Sequence, residues 1–471
     1  MQKHPVANLA FGILAVITMV ASLCTAALTS AAPVSNSYSL TFAEALRRLH
    51  SHPLLMASRA RIASAEAENQ AARALALPRL GIEGTYARLS DPIEVDLAPL
   101  NRLIESLDPA LPSIPNPILQ GDSFGVVMAT LAWPVFTGGR IDAAKKATAA
   151  GITGAVAAAD TTSDTLLLDL VTRYYGVAVN ERALAVQTEV VSSLTDHLAN
   201  AEALEREGQI ASVERMQVEV ALAQAQVAEQ ERRHALQISR AGLANLIGLN
   251  IQGWSTSAGP ALAIPEPQEL QTLQEVARQS NPVIQQLTAI TAQADQAIRA
   301  ARSAYWPDVT LLGGYELESD LLPELLPQWT ISLNLTMNLF DGGATRAGVS
   351  MAREHLREAQ SLQRDAIERL HLQVESRYLA LEDARRRLAV TMRTESLAQE
   401  TLRMQRLAFA AGMGRSIDVL DAQSAVAATR LQQLAAQFDN VLAWTALMLA
   451  CGHRDQVEHF LSHAGGRANG K

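Results

Sequence analysis

Two carboxylates stand out in this sequence because of their spacing. Asp418 and Asp421 are three residues apart in a segment whose composition favours a helix, so they would share one helix face. A pair of carboxylates on one face attracts cations. Asp418 could equally serve only the helix dipole, since it falls in the first turn after a glycine-bearing break. The sequence leaves both roles open.

Patterns typical of catalytic sites are absent. The sequence holds no glycine-rich phosphate loop, HExxH, GxSxG or Cys/His pair. Its ten histidines are scattered, and His50 and His52 beside Pro53 are more typical of a polar pair at a helix end than of a metal site. We therefore expect neither an enzyme nor a bound metal or cofactor.

Composition narrows the class of protein. The 471 residues are 48% hydrophobic but only 4% aromatic, which suits long, closely packed helices better than a large globular core. A net charge of -9 argues against a nucleic-acid partner, which would require a basic patch. Two cysteines, Cys24 and Cys451, are too few for a disulfide scaffold or a cysteine-rich zinc site.

Residues 1–32 have the layout of a secretory signal peptide. A positively charged start precedes an apolar run from Leu9 to Leu23, and small residues follow. The alternative, a membrane anchor, is disfavoured because the run is shorter than the ~20 residues that span a bilayer. Lipidation of Cys24 is disfavoured because Leu23 stands where a lipoprotein signal needs a small residue. We predict a mature chain that is periplasmic, secreted or in an outer membrane as a β-barrel.

The sequence contains two copies of one unit. Early matches recur 229 positions apart and later ones 204 apart, because the first copy has a longer loop between about Ser90 and Ser123. We assign residues 40–252 to the first copy, 253–267 to a linker, 268–452 to the second copy and 453–471 to a C-terminal tail. The matches include Pro78 and Pro307, Tyr86 and Tyr315, Phe136 and Phe340, Tyr174 and Tyr378, Gly208 and Gly412, and Gly248 and Gly452.

Each copy is expected to hold a helix of about 35 residues, a rod-like helix and a returning helix. A rod of roughly 68 residues would be about 100 Å long. Ser212 and Ser416 are predicted as N-caps of the returning helices. The predicted bounds are Thr41–Leu77 and Thr272–Ala304 for the first type, and Arg140–Glu207 and Ala344–Ala411 for the rods.

Two segments of alternating polarity precede each rod, and each has the length of a tilted transmembrane strand, about 10 to 12 residues. Two soluble hairpins would show the same alternation. Lipid cannot satisfy open sheet edges, so four strands require other chains, and three chains supply twelve. We predict a mainly α fold with a small β part: coiled-coil hairpins forming an α-barrel, and four transmembrane strands per chain closed as a 12-stranded barrel in a homotrimer. The segments are Leu80–Tyr86, Phe124–Phe136, Val309–Leu317 and Trp329–Leu339.

Together these features resemble the TolC outer-membrane efflux protein family. The resemblance covers residues from about 40 to 452 and rests on the duplication, two Phe-x-Gly-Gly turns and the segment Ser416–Ala422. It implies a homotrimer in the outer membrane of a Gram-negative bacterium, with a β-barrel in the lipid and an α-helical barrel in the periplasm. It also implies a passive exit duct of a tripartite efflux or type I secretion system. The partners would be a periplasmic adaptor (membrane fusion protein) and an inner-membrane transporter of the RND, ABC or MFS type.

The resemblance places the periplasmic pore aperture at Asp418 and Asp421. A trimer would repeat the pair as two stacked rings of three carboxylates, which favour cations and admit divalent metal. Arg415 is one position away from where the family places an arginine that helps to hold the aperture shut. The first copy has Glu214 and Gln217 at the equivalent positions, so only the second hairpin is expected to constrict.

Two further sets of residues are assigned by the same resemblance. The hairpin tips would meet the adaptor end-on, four glycines would turn strand into helix, and the proline-rich segment Asp91–Asp122 would be an extracellular loop. The tip residues are Gly208, Gln209, Ile210, Ala211, Ser212, Gly412, Met413, Gly414, Arg415 and Ser416, and the turn glycines are Gly138, Gly139, Gly342 and Gly343.

The alternative is a periplasmic coiled-coil adaptor or structural rod without a membrane barrel. Such adaptors usually carry one helical hairpin flanked by compact β domains, whereas two long hairpins are predicted here. The sequence is compatible with drugs, metals, proteins or glycolipids as the transported substrate.

Overall fold

A computed structural model of the chain describes residues 38–250, 253–257, 262–319 and 327–464. The predicted signal peptide with Cys24 lies outside the described residues. So do residues 258–261 of the predicted linker and residues 465–471 of the predicted tail.

The first half of the chain folds into short helices, strands and one long helical hairpin. In chain order its elements are β1 (Tyr38–Leu40), α1 (Phe42–Leu49), α2 (Pro53–Ala74), β2 (Arg79–Arg88), β3 (Ile93–Glu94), α3 (Ala98–Leu107), β4 (Ile118–Gln120), β5 (Ser123–Thr137), α4 (Arg140–Arg206), α5 (Ser212–Ile247) and β6 (Trp254–Thr256). The second half repeats the plan and adds a terminal helix. Its elements are α6 (Leu270–Ser280), α7 (Pro282–Ser303), β7 (Asp308–Ser319), β8 (Trp329–Thr336), α8 (Ala344–Ala410), α9 (Ser416–Ala450) and α10 (Arg454–Ala464).

Equivalent helices of the two copies have matching lengths. α4 and α8 each have 67 residues, α2 and α7 each have 22, and α5 and α9 have 36 and 35. At 1.5 Å per residue the longest helices extend about 100 Å, so the rods expected from the sequence are confirmed. In the described part of the chain, no helix is both long and apolar enough to cross a membrane.

The prediction of single helices over Thr41–Leu77 and Thr272–Ala304 was wrong, because each region contains two helices. The first region breaks before Pro53 and the second before Pro282. A proline disfavours the helical conformation in the residue that precedes it, and it fits well in the first turn of a helix. Both prolines therefore begin a new helix, and the residue composition alone does not reveal this break.

The residues before these prolines cap the new helices. His52 and Asn281 are extended, with ψ of 137° and 127°. His52 Nδ1 accepts a hydrogen bond from the Leu54 backbone N–H at 3.2 Å, and Asn281 Oδ1 accepts one from Val283 at 2.9 Å. His52 thus has a local structural role at a helix end.

The four long strands form one antiparallel sheet in the order β2-β5-β7-β8. Residues directly opposite each other in such a sheet point to the same face. One row across the sheet runs Leu80, Leu131, Gly313 and Ile331, and the next row runs Gly81, Thr130, Gly314 and Thr330. One face is therefore apolar and the other is largely polar or glycine.

The apolar face of this sheet is uncovered. Leu80 is 84% exposed, and on the edge strand Ile331 and Leu333 are 68% and 65% exposed. No other described strand pairs with the outer edge of β2 or of β8. Strand β8 ends at Thr336 instead of Leu339, and β5 extends further than expected, over 15 residues.

The largest buried core lies where the short helices meet the rods. Rings of Phe42 and Tyr174 have centroids 5.3 Å apart, as do those of Tyr174 and Tyr175. The Tyr174 hydroxyl donates to the Leu40 carbonyl at 2.9 Å. Strand β1 pairs in parallel with β6, so part of the predicted linker is a strand that closes this core.

The segment between β2 and β5 is partly ordered. The predicted loop Asp91–Asp122 contains the small β3–β4 pair and the helix α3, none of whose residues is buried within the chain. The Asn101 side chain holds the two ends of this loop together, because it makes two hydrogen bonds of 2.8 Å with the backbone of Ile114.

Candidate aperture at the helical tips

Both hairpins reverse through the same glycine turn. Gly208 and Gly412 have φ of +72° and follow the C-terminal capping residues of the rods, Glu207 and Ala411. In the first tip the Gln209 N–H donates to the Leu204 carbonyl at 2.8 Å, and in the second the Met413 N–H donates to Ala408 at 2.9 Å. These bonds satisfy carbonyls at the helix end, and the left-handed conformation favours glycine.

The predicted N-cap role of Ser212 and Ser416 was wrong. Both serines are the first residues of their helices, and the extended capping residues are Ala211 and Arg415, with ψ of 149° and 151°. The glycine turn uses so few residues that the extended capping residue lies one position before the serine.

Ser416 is instead fully buried between the two hairpins. Its hydroxyl lies 2.9 Å from Nε2 of His197 on α4, and the His197 ring packs edge-on against Phe409, with centroids 5.0 Å apart. Burial lowers the pKa of His197, and the nearby charge of Arg406 lowers it further. A neutral imidazole therefore joins the first hairpin to the second close to the tips.

Asp418 has a partner in the residue that caps its own helix, Arg415. Its carboxylate accepts hydrogen bonds from the Arg415 guanidinium, at 2.9 Å from Nη2 and 3.2 Å from Nε, and from the Arg415 backbone N–H at 3.3 Å. The guanidinium hydrogen bond holds the pKa of Asp418 below its usual range. This geometry supports the capping role of Asp418 and explains what Arg415 does.

Asp421 differs from Asp418 in its surroundings. It is exposed one turn further along α9, and no ion pair of the described residues includes it. The hydrogen bond with Asp418 is the main cause that raises the pKa of Arg415, and the charges of Asp421 and of Glu214 on the first hairpin raise it further. Asp418 thus pairs directly with the guanidinium, Asp421 and Glu214 act on it through their charge, and the placement of these groups around a pore stays a prediction.

Further polar contacts join the hairpins of one chain above the tips. Arg430 on α9 bonds to Glu189 on α4 at 2.6 Å and also contacts Glu395 on α8 at 3.4 Å. The Gln423 side chain donates to the Val190 carbonyl at 3.3 Å. The second hairpin is therefore held against α4 by side chains from three helices.

Sequence reasoning missed His197 and Arg430. Neither belongs to a motif, and each is a lone polar residue within a long helix. The available signal was the duplication: the position equivalent to His197 is Thr401, so the copies differ there. Among the described residues, no cluster of three or more His, Cys, Asp or Glu side chains is arranged to hold a metal ion.

The turn glycines lie at the opposite end of the rods. Gly139 and Gly343 are the residues before α4 and α8, with φ of +88° and +91°, and Gly138 and Gly342 precede them with φ of +59° and +65°. The first pair turns the chain directly from β5 into a rod, whereas Met337 to Asp341 separate strand β8 from the second pair.

A family model described as outer membrane efflux protein matches residues 47–249 and 273–453. Protein CyaE of Bordetella pertussis is 27% identical over 311 residues, covering 64% of each chain. Outer membrane protein OprJ of Pseudomonas aeruginosa is 24% identical over 176 residues, covering 36% of this chain and 37% of OprJ. The matches thus span less than two thirds of these relatives' own lengths.

Solved structures share the fold at low sequence identity. The chain superposes on CusC with a TM-score of 0.73 at 16% identity, covering 88% of this chain and 92% of CusC. The outer membrane protein VceC of Vibrio cholerae gives a TM-score of 0.69 at 15% identity, covering 87% and 96%. The mainly helical fold with a small β part, predicted from the sequence, is confirmed.

Proposed function

The chain belongs to the outer membrane efflux protein family, and on that premise we propose that three copies of it form an exit duct through the outer membrane. The duct conducts substrate passively from the periplasm to the exterior. Three four-stranded sheets close as a 12-stranded barrel in the lipid, and the helical hairpins continue it as a tube in the periplasm.

The observation that carries this proposal is the two-faced sheet. Its apolar face exposes residues such as Leu80 and Ile331, while Thr130 and Thr330 lie on the opposite face. A lipid-facing apolar surface around a polar interior is the pattern of a transmembrane barrel. A soluble rod would gain nothing from this surface, because large exposed apolar patches favour aggregation.

The open edges of β2 and β8 support assembly from several chains. Unpaired backbone groups are costly in lipid, so each outer edge must pair with a neighbouring sheet. Two chains would supply about eight strands, whose interior side chains fill. Three chains are the smallest set that leaves an open lumen.

The tips support a role in a multi-protein system. Both glycine turns lie at the ends of rods about 100 Å from the sheet, where a periplasmic adaptor can meet them end-on. The adaptor would connect the duct to an inner-membrane transporter of the RND, ABC or MFS type. We further propose that Asp418 and Asp421 of the three chains surround the periplasmic aperture.

Two adjacent residues on opposite faces of β8 test the membrane assignment. Ile331→Arg places a charge on the apolar face, where a midplane arginine costs about 2–4 kcal/mol, so we expect loss of membrane-inserted trimer. Thr330→Arg places the same charge on the polar face and should still assemble. The readouts are outer-membrane fractionation and a heat-modifiable trimer on gels.

The runner-up, a periplasmic adaptor or structural rod, predicts a different result. It would be recovered in the soluble periplasm, and both arginine variants would behave like the parent protein. That outcome would refute the duct.

A further inference from the structure

The terminal helix α10 carries two histidines one turn apart on its exposed side. His459 and His463 are both exposed, and their imidazole rings stack with centroids 4.3 Å apart and planes inclined by 29°. Residues four apart lie on the same face of a helix. The fold therefore holds two imidazoles side by side in contact with solvent.

The opposite side of α10 is fixed to the rest of the chain. Val457 and Leu461 are fully buried. At the start of the helix, the Arg454 guanidinium bonds to two carboxylates of α4, Asp164 at 2.7 Å and Asp160 at 3.0 Å. Because the buried side and the ion pairs stop α10 from turning, the two histidines keep their orientation toward solvent.

The hydrogen bond of His463 leaves one of its ring nitrogens available to a ligand. Its Nδ1 lies 2.7 Å from the His459 carbonyl oxygen. A carbonyl oxygen only accepts, so Nδ1 carries the hydrogen and, in the neutral ring, Nε2 carries the lone pair. Histidines that bind metals are commonly held by this same bond from the other ring nitrogen to a backbone carbonyl.

The His459 ring is open to a ligand as well. Within the described part of the chain, its ring nitrogens make no hydrogen bond or ion pair, and its ring contact is with His463. Each of the two rings can therefore offer a nitrogen lone pair without breaking an existing bond.

The electrostatics of this end of α10 favour a cation. His463 lies in the last turn of the helix, where the helix dipole is negative. Asp455 is exposed one turn before His459 and adds a negative charge on the same side. A metal ion at the histidine pair would thus gain from both the dipole and the carboxylate.

We propose that His459 and His463 form a bidentate site for a late transition-metal ion such as Cu²⁺ or Zn²⁺. Imidazole suits both ions, and two histidines at this spacing on one helix face bind zinc in metalloprotease helices. Water completes the coordination, since the described residues include no group of three or more side chains arranged around a metal. The site departs from the expectation, drawn from the sequence, that the chain binds no metal, and it does not depend on the proposed duct.

A bound ion clasps the last two turns of α10. The two rings lie one turn apart only while this end of the helix is folded, so the ion binds the folded end more tightly than a frayed one. Binding to the folded form alone stabilises it by mass action.

A histidine swap tests the site without changing the amino-acid composition. Gln456 is exposed, and the double variant Gln456→His/His459→Gln moves one imidazole to a position seven residues from His463. The two rings are then separated by about 10.5 Å along the helix axis, which is too far for one ion to bridge. The remaining histidines are the same in both proteins, so their binding cancels in the comparison.

The first readout is equilibrium dialysis of the full chain, without an affinity tag and in detergent, against Cu²⁺. The parent should bind one ion per chain at least about tenfold more tightly than the swapped variant, because two ligands on one helix act together. His463→Gln should weaken binding to the same extent, and the parent should prefer Cu²⁺ to Ni²⁺ and Zn²⁺. Equal affinities of the parent and the swapped variant would overturn the proposal.

Electron paramagnetic resonance identifies the ligands directly. Bound Cu²⁺ should couple to two nitrogen nuclei in the parent and to no more than one in the swapped variant. Coupling to a single nitrogen in the parent would refute the bidentate site.

Hydrogen exchange with Zn²⁺ tests the clasp. At a Zn²⁺ concentration about ten times Kd, exchange at the end of α10 should slow about tenfold in the parent and stay unchanged in the swapped variant. The two proteins should have the same helical circular dichroism, because both substituted positions are exposed. Equal exchange rates with and without Zn²⁺ in the parent would contradict the clasp and leave the proposed duct standing.

Discussion

The tip carboxylates give an ordered prediction for ion selectivity. Each chain contributes Asp418, Asp421 and the cation Arg415 to the proposed aperture, a net charge of -1 from these three residues. Asp421→Asn removes that net charge. Arg415→Gln doubles it, because the charge of Asp418 is no longer compensated. Cation preference should therefore rise in the order Asp421→Asn, parent, Arg415→Gln.

The size of the effect follows from Coulomb's law. Three uncompensated charges at one Debye length, about 8 Å at physiological ionic strength, attract a monovalent cation by roughly 1.6 kcal/mol in water before screening. Screening lowers this to about 0.6 kcal/mol, or about a threefold enrichment of cations over the bulk solution. Doubling the charge gives about 1.2 kcal/mol, or roughly sevenfold, and Asp421→Asn removes the enrichment.

The assay is the reversal potential of single channels in planar bilayers under a KCl gradient. Measurements at about 0.15 M and at about 1 M salt separate the electrostatic effect, since the Debye length falls to about 3 Å at 1 M. All three proteins should converge at high salt. The parent should also be blocked by divalent cations more weakly than Arg415→Gln and more strongly than Asp421→Asn.

Two results would refute this reasoning. If Arg415→Gln left the cation preference unchanged, the α9 charges would not line the conducting path. If Glu214→Gln, which removes one carboxylate charge from the first hairpin, shifted selectivity as much as Asp421→Asn, constriction would not belong to the second hairpin alone.

Three further predictions concern stability. Gly452→Ala should lower the free energy of unfolding by about 1–3 kcal/mol more than Gly248→Ala, as measured in denaturant titrations. Both glycines have positive φ, but only a Cβ added at Gly452 would contact the Ser280 carbonyl oxygen, at 2.5 Å. Equal losses would show that this contact relaxes freely. Asn281→Ala should cost about 1–3 kcal/mol, since it removes a cap and a 3.0 Å bond to the Ala450 carbonyl, and His52→Ala should cost less because it removes only a cap. The pKa of His197 is lower in the folded tip than the ordinary value of about 6.5 in the unfolded tip. As the pH falls below about 6.5, the unfolded tip therefore takes up a proton before the folded tip does, and the tip loses stability. Above about pH 6.5 this histidine should leave the stability of the tip unchanged. Hydrogen exchange of the tip should show this loss in the parent and not in His197→Gln, and a persisting loss in that variant would assign it to other groups.

The repeated features of the chain could be predicted from its sequence. The length of a helix follows from the length of the stretch of helix-favouring residues between two helix-breaking turns. The ends of the rods after Gly139 and Gly343 were therefore predicted to within a residue or two. Alternation fixed the faces of β8, because Trp329 to Leu335 needs no distant partner to set its period. The order of the strands in the sheet depends on contacts between distant segments, such as the pairing of Leu131 with Leu80 and with Gly313. The alternation of residues along one strand does not predict such contacts.

The polar helix caps and the polar contacts between helices were harder to predict. His52 and Asn281 reveal a helix break only when the conformational effect of the following proline is weighed against the helix-forming residues around it. Asp418 was ambiguous because ring and cap roles require the same residue in the same turn, and only the position of Arg415 shows that the cap is made. His197 is unremarkable in sequence, since its importance comes from a serine on a helix more than 200 residues away.

The pairing of β1 with β6 bears on the order in which the molecule folds. Tyr38 pairs with Trp254, so this contact closes a loop that contains nearly all of the first copy. Closing so long a loop has a large entropic cost, and contacts this distant in sequence slow folding. The largest buried core, in which the Tyr174 hydroxyl bonds to the Leu40 carbonyl, therefore completes only after the linker has been synthesised. The first copy is therefore a repeat in the sequence but not an independent folding unit, because its β1 pairs with β6 beyond its end. We expect that a fragment ending before residue 254 would not fold independently.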